Sequence, residues 1–155
     1  MKANLNKSLV GNLSSHKSYR LPPNTQNRKG LPILVVDDSK TQRTLHKGLL
    51  ESANHEVTLA VNAEDALLKL AHGQYAAVVT DHDMGEGRNG VELAFYAKQL
   101  GGGIPVVLVS SNGAAIQAEL TEHHPTILPF IDLILTKNDP AQLAGAVSDL
   151  ISRVA

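Results

Sequence analysis

The sequence predicts an α/β fold, a five-stranded parallel sheet wound on both faces by helices. Two observations carry this. Short apolar runs without alternation recur at Ile33-Leu34-Val35-Val36, Ala76-Ala77-Val78-Val79 and Val106-Val107-Leu108-Val109. Such runs suit parallel strands covered on both sides, where no side chain has to meet water. Segments with helical spacing and recognisable caps lie between them, and strands that alternate with helices build a parallel sheet. The 155 residues, 43% of them hydrophobic, allow one domain with its own core. The absence of cysteine excludes disulfides, thiolate metal sites and cysteine nucleophiles.

The elements follow in order. Ile33–Val36 is the first strand, and Ser39 caps a helix carrying Leu45, Leu49 and Leu50. Val57-Thr58-Leu59-Ala60-Val61 is the second strand. Asn62-Ala63-Glu64-Asp65 supplies a cap and an acidic first turn, suited to the positive end of a helix dipole; Ala66, Leu67 and Leu70 follow, and Gly73 ends the helix. Ala76–Val79 is the third strand. A helix from Val91 to Leu100 is stopped by Gly101-Gly102-Gly103. Val106–Val109 is the fourth strand, and its helix begins near Asn112 and stops before Pro125. Ile131-Asp132-Leu133-Ile134-Leu135 is the fifth. Asp139-Pro140, a cap with proline at the first helical position, opens a last helix with Leu143, Val147, Leu150 and Ile151 at helical spacing. Right-handed crossovers leave few topologies for this order.

The net charge of −1 conceals a division. Lys2, Lys7, Lys17, Arg20, Arg28 and Lys29 precede Leu31 with no acid among them, which leaves 8 bases against 15 acids, a balance of −7, in the remainder. Residues 1–30 lack any apolar period, are rich in Asn, Ser and Lys, and contain Leu21-Pro22-Pro23-Asn24. They read as a flexible basic arm: a solvated leader on the plainest view, or a contact for nucleic acid, an acidic partner or lipid headgroups. Residues 31–155 read as the folded domain. No apolar run reaches the length of a signal-peptide core or of a membrane helix, so a soluble, cytoplasmic chain is expected.

In an open parallel sheet, ligands bind beyond the carboxyl ends of the strands. Asp37 and Asp38 fall at the end of the first strand, Asp81 after the third, Ser110 and Ser111 after the fourth and Lys137 after the fifth. Taken singly, each has a plain role: an Asp after a strand caps a helix, a serine makes a turn, a lysine is a solvated cation. Taken together they are specific. Three converging carboxylates repel one another and raise one another's pKa unless a cation joins them. Mg²⁺ is the hard, oxygen-seeking ion that fits. A lysine is a point charge suited to a phosphoryl group, and a hydroxyl adds one directed hydrogen bond. The set reads as a phosphoryl-transfer site.

Leu34-Val35-Val36-Asp37-Asp38-Ser39, Val78-Val79-Thr80-Asp81-His82-Asp83-Met84, Ile104-Pro105-Val106-Val107-Leu108-Val109-Ser110 and Leu135-Thr136-Lys137 resemble the receiver domain of two-component response regulators. The resemblance covers about Leu31 to Ala155. It implies a flavodoxin-like fold with strand order 2-1-3-4-5. It implies that Asp81 is the phosphoacceptor, taking its phosphoryl group from a histidine kinase or a histidine phosphotransfer protein. It also implies that Asp38 and Asp81 ligate Mg²⁺ directly, that Asp37 acts largely through water, and that the backbone carbonyl of Asp83 completes the protein ligands. Ser110 corresponds to the switch hydroxyl, and Lys137 pairs with Asp81 and then with the phosphoryl group. Such a protein is no enzyme in the ordinary sense; at most it phosphorylates and dephosphorylates itself. Only 18 residues follow Lys137, enough for one helix, so a stand-alone, chemotaxis-regulator-like protein that signals to a downstream protein, without direct DNA binding, is expected.

Several positions depart from that family's pattern. Gly85 stands where proline usually follows the methionine, and the loop from Asp81 to Gly90 is one residue longer than usual. Asn138 replaces the usual cis-bonded proline after the lysine, and Ile134 replaces the rotating aromatic three residues before it. Pro125-Thr126-Ile127-Leu128-Pro129 replaces a shorter link. These leave the chemistry intact and put the usual readout face in doubt, so the alternative is a degenerate receiver that docks constitutively without a switch. A third reading, a Mg²⁺-dependent phosphatase of haloacid type, needs an Asp-x-Asp motif that Asp37-Asp38-Ser39 lacks. Asp83 and Asn112 are placed to tune the phosphoryl lifetime, Asn112 by orienting a hydrolytic water.

The histidines read as ordinary surface groups. His46, His55 and His72 are expected on polar helix or loop faces and His82 on the loop exterior. His123 and His124 point about 100° apart on a helix, a poor chelate. Gly101-Gly102-Gly103 lacks the lysine and hydroxyl of a phosphate-binding P-loop, and two Phe and three Tyr make no stacking platform for single-stranded nucleic acid.

Overall fold

The computed structural model describes residues 30–154. The arm expected over residues 1–30 lies outside the described residues except for Gly30. Five strands alternate with five helices: β1 (Ile33–Val36), α1 (Lys40–Ser52), β2 (Val57–Ala60), α2 (Ala63–His72), β3 (Ala77–Asp81), α3 (Gly90–Leu100), β4 (Val106–Ser110), α4 (Gly113–His123), β5 (Leu133–Thr136) and α5 (Ala141–Val154). A single 3₁₀ turn, Leu128–Phe130, precedes β5. The sheet is parallel throughout, in the order β2-β1-β3-β4-β5, as expected.

The unbroken apolar runs are explained by the two layers they separate. Successive strand residues point to opposite faces. Ile33, Val35, Val79, Val107 and Val109 pack with Leu50 of α1 and with Leu143 and Val147 of α5. Leu34, Val36, Val78, Val106 and Leu108 pack on the other side with Ala66 and Leu70 of α2, Leu93 and Ala97 of α3 and Leu120 of α4. Every residue of β1 is buried. Each such Val, Leu or Ile contributes about 1.5–3 kcal/mol on burial. The outer strands β2 and β5 are only half-buried.

The caps behave as their chemistry requires. Ser39, Asn62 and Asn112 each accept a hydrogen bond from a backbone N–H in the first turn of the helix they open. The start of α3 differs from expectation. Asn89 caps it one residue before Gly90, and Glu92 reaches back to the Asn89 N–H to complete a capping box. β5 begins at Leu133, two residues later than expected, because the Ile131 N–H closes the 3₁₀ turn by donating to the Leu128 carbonyl. Both main-chain and side-chain groups of Asp132 bond Val106: its N–H donates to the Val106 carbonyl, and its carboxylate accepts from the Val106 N–H. The long link 125–129 seats Phe130 edge-on against Phe95 of α3, with ring centroids 5.1 Å apart.

Two sequence expectations fail on α1. His46, read as a polar-face residue, is buried, and Leu45, read as a core residue, is 41% exposed. The reason is phase. His46 lies one helical turn before Leu50 and shares its sheet-facing side, whereas Leu45 is rotated about 100° away. His55 is half-buried and shares a 2.7 Å hydrogen bond with Ser148 of α5.

Candidate functional site

The three carboxylates come from adjacent strand ends. Asp37 and Asp38 follow β1, and Asp81 is the last residue of β3, which runs two residues further than expected and pairs Asp81 with Val109. Asp37, Asp38 and Asp81 each present an oxygen, and these oxygens lie within 4.8 Å of one another. Asp37 is 1% and Asp81 8% exposed, while Asp38 faces solvent. Two buried carboxylates and one open one, all oxygen donors, fit a hard divalent cation that keeps part of its water. No helix among the described residues is long and apolar enough to cross a membrane.

Lys137 reaches this cluster from the far side of the sheet. Its ammonium lies 3.1 Å from Oδ1 of Asp81 and 3.4 Å from Oδ2 of Asp37. Burial pushes the Asp81 carboxyl above its ordinary pKa, and the charge of Asp37 adds to this; Lys137 and the His82 N–H oppose the push without cancelling it. For Lys137 the balance is reversed. Burial pulls the ammonium down, but its hydrogen bonds to Asp81 and Asp37 and their charges outweigh that and hold it above the ordinary lysine value. The lysine is therefore a fixed cation in a site with an excess of negative charge.

Ser110 ends β4 beside Lys137. Its carbonyl accepts the Lys137 N–H at 2.8 Å, and its hydroxyl accepts the Asn112 N–H at 3.1 Å. Ser110 is thus joined to the lysine through the main chain while its hydroxyl is occupied by the turn ahead of α4. Asn112 caps α4: its Oδ1 accepts the Ala115 N–H at 3.3 Å. Asp83 is exposed, and its carboxylate accepts the Gly85 N–H within its own loop. His82 is half-buried and lines a hollow between α3 and α4 together with Glu119 and His124, away from the carboxylates.

Sequence reasoning missed four supporting residues. Arg43 donates from Nη1 to the Asp37 carbonyl at 2.7 Å, which ties α1 to the end of β1. Its place six residues after Asp37, on the first helical turn, is the signal that was there to read. Buried Thr80 donates from Oγ1 to the Asp81 carbonyl and fixes the main chain of Asp81 from behind. Burial holds the His46 imidazole below its usual pKa, with Asp37 opposing and Lys137 assisting. Gly90 lets α3 approach the strand end: a Cβ there would lie 2.2 Å from the Asp81 carbonyl oxygen. Neither of the last two leaves a local signal, because each depends on which neighbour the fold brings up.

A family model described as the response regulator receiver domain matches residues 33–125. No curated protein gives a significant match. Among solved structures, the chain is similar to a CheY-like response regulator receiver domain protein from Methanospirillum hungatei, with 21% identity over 80% of this chain and 95% of that one and a TM-score of 0.69. A Francisella response regulator receiver domain gives 24% identity, 81% and 99% coverage and a TM-score of 0.67. The response regulator TrrA from Thermotoga maritima, solved in complex with Mg²⁺ and BeF, gives 24% identity, the same coverage and a TM-score of 0.62.

Proposed function

The chain belongs to the response regulator receiver domain family, and on that premise we propose that Asp81 accepts a phosphoryl group in a Mg²⁺-dependent reaction and that the domain signals through protein contacts. The observation that carries this is the convergence of Lys137 on Asp37 and Asp81 within a cluster of three carboxylates. A cap, a turn serine or a surface lysine would have no reason to meet there.

On this reading an Asp81 carboxylate oxygen attacks phosphorus, the bond from phosphorus to a donor imidazole nitrogen breaks, and an acyl phosphate forms. The donor is a histidine kinase or a histidine phosphotransfer protein. Asp37, Asp38, Asp81 and the Asp83 backbone carbonyl would hold Mg²⁺, which when bound neutralises charge on the phosphoryl oxygens. Lys137 performs the same neutralisation from the opposite side. Burial of the acceptor among fixed charges keeps reorganisation small. The Ser110 hydroxyl, which accepts the Asn112 N–H, keeps its own proton free to donate to a phosphoryl oxygen. Residues 31–155 form the receiver unit and residues 1–30 a separate arm. The test is to mix the protein with Mg²⁺ and a small phosphodonor and to weigh the intact chain. One added phosphoryl group on the wild type and none on Asp81→Asn is expected; equal labelling of the two overturns the assignment.

A second reading, a docking module without a switch, draws on Ile134. This β5 side chain packs against the α2–α3–α4 side of the core and has no ring to swing. Backbone NMR shifts across residues 127–137 that do not move on adding beryllofluoride favour that reading; large shifts favour switching.

A further inference from the structure

The loop between β3 and α3 runs beside Asp38 of the carboxylate cluster and is held from outside at two places: Met84, which is buried in the core within reach of the Thr80 hydroxyl, and Arg88. Its base is closed by the Gly90 N–H, which donates to the His82 carbonyl at 2.8 Å. Its course depends on two glycines in the left-handed region, Gly85 at φ 72° and Gly87 at φ 92°. At Gly85 a Cβ would lie 3.5 Å from Oδ2 of Asp38, so the loop main chain runs alongside that carboxylate. At Gly87 a Cβ would lie 3.4 Å from Oε2 of Glu64, in the first turn of α2. Arg88 joins these parts. Its Nη1 donates to Glu64 Oε1 at 3.0 Å, and its guanidinium sits 4.9 Å from the centroid of the buried Tyr96 ring of α3. One arginine therefore ties the loop to α2 by an ion pair and to α3 by its planar face, a double role that suits a guanidinium and not an ammonium.

We propose that Arg88 is a positioning residue for the metal site, holding the 82–89 loop against Asp38 so that the Asp83 carbonyl is presented to the cation. This rests on the Mg²⁺ reading given above. Loops that carry ligands are among the first segments to open. Buried Met84 fixes the part next to Asp83, so Arg88 acts on the distal part, where Gly85 and Gly87 fall. Removal of the Arg88 anchor leaves the carboxylates and Met84 in place but loosens the distal half of the loop beside Asp38, and affinity falls.

The sign of the effect separates positioning from simple charge. Arg88 is a cation near a cation site, so if charge alone mattered, Arg88→Met would tighten Mg²⁺ binding. If Arg88 positions the loop, the same substitution weakens it. The test is a Mg²⁺ titration of the full chain, followed by calorimetry and by the amide shifts of Gly85 and Gly87. Arg88→Met is expected to raise the Mg²⁺ Kd about 2- to 5-fold, the range set by one partly exposed ion pair. Glu64→Gln is expected to do the same, and the double variant to be no worse than either alone. Arg88→Lys is expected to recover the ion pair but only part of the affinity. An unchanged or lower Kd in Arg88→Met, with Gly85 and Gly87 amides unmoved and the fold intact by circular dichroism, overturns the proposal. A wild type that binds no Mg²⁺ overturns the functional reading itself, and the two failures are thus distinct.

Discussion

The ammonium of Lys137 lies 3.1 Å from Oδ1 of Asp81, a salt bridge between the end of β5 and the end of β3 across the intervening strand. Without it Asp37 and Asp81 are two nearly buried carboxylates with a net repulsion. Loss of one partner of such a pair leaves uncompensated charge, a cost that partial exposure of the lysine moderates. Lys137→Met is expected to destabilise the metal-free protein by about 1–3 kcal/mol. A second change, Asp81→Asn, is expected to recover more than half of that. Urea denaturation of the single and double variants checks both.

On the proposed function, Mg²⁺ would link the same charges to stability. An ion that binds only the folded state adds about 2.7 kcal/mol at a hundred times its Kd. The melting temperature of the wild type is expected to rise with Mg²⁺ and to fall back when the ion is chelated. Asp38→Asn, which lies on the open side of the cluster, is expected to reduce that rise without lowering the melting temperature in chelator. Thermal scans with and without the ion measure it.

Asp65 gives a pH prediction outside the site. Burial works against its ionised form, but the Val61 N–H at 3.0 Å and Lys69 at 3.1 Å outweigh it and hold the carboxyl below its ordinary pKa. A depressed carboxyl stabilises the fold above the unfolded value and loses that contribution as pH falls through the folded value. Asp65→Asn is expected to cost about 0.5–1 kcal/mol at pH 7, with the gap closing below about pH 4. Denaturation midpoints of the two proteins at pH 7 and pH 3 test the convergence.

Two glycines on helices are expected to answer oppositely to alanine. Gly48, inside α1, has nothing within 4 Å of a built Cβ, and Gly48→Ala is expected to stabilise by about 0.5–1 kcal/mol through helix propensity. Gly90→Ala places a Cβ 2.2 Å from the Asp81 carbonyl and 2.6 Å from Leu108 Cδ1. It is expected to destabilise by about 1–3 kcal/mol, as overpacking does, and to weaken Mg²⁺ binding by displacing the main chain of Asp81.

The sheet and the site were legible for one reason. A strand covered on both faces advertises itself as an unbroken apolar run, and the residue that ends the run falls at the working edge. Asp37, Asp38, Asp81, Ser110 and Lys137 were found that way, and the structure brings the three carboxylates and the lysine together. What stayed hidden depends on neighbours distant in sequence. His46 is buried because of the helical phase it shares with Leu50. Arg88 meets Glu64, 24 residues earlier, only after α2 and the β3–α3 loop have docked. That Asn112 would also cap α4 through its oxygen depends on a backbone N–H three residues on.

The bridge from Lys137 to Asp37 spans 100 residues of sequence. During synthesis the amino-terminal part of a chain appears first, at about 5–20 residues per second. A nascent chain that has emerged only through β4 already carries Asp37, Asp38 and Asp81, but not the cation that offsets their repulsion. On the proposed function, the lysine that completes the site arrives last, with β5, and a chain cut short after α4 is expected to carry the three carboxylates without it.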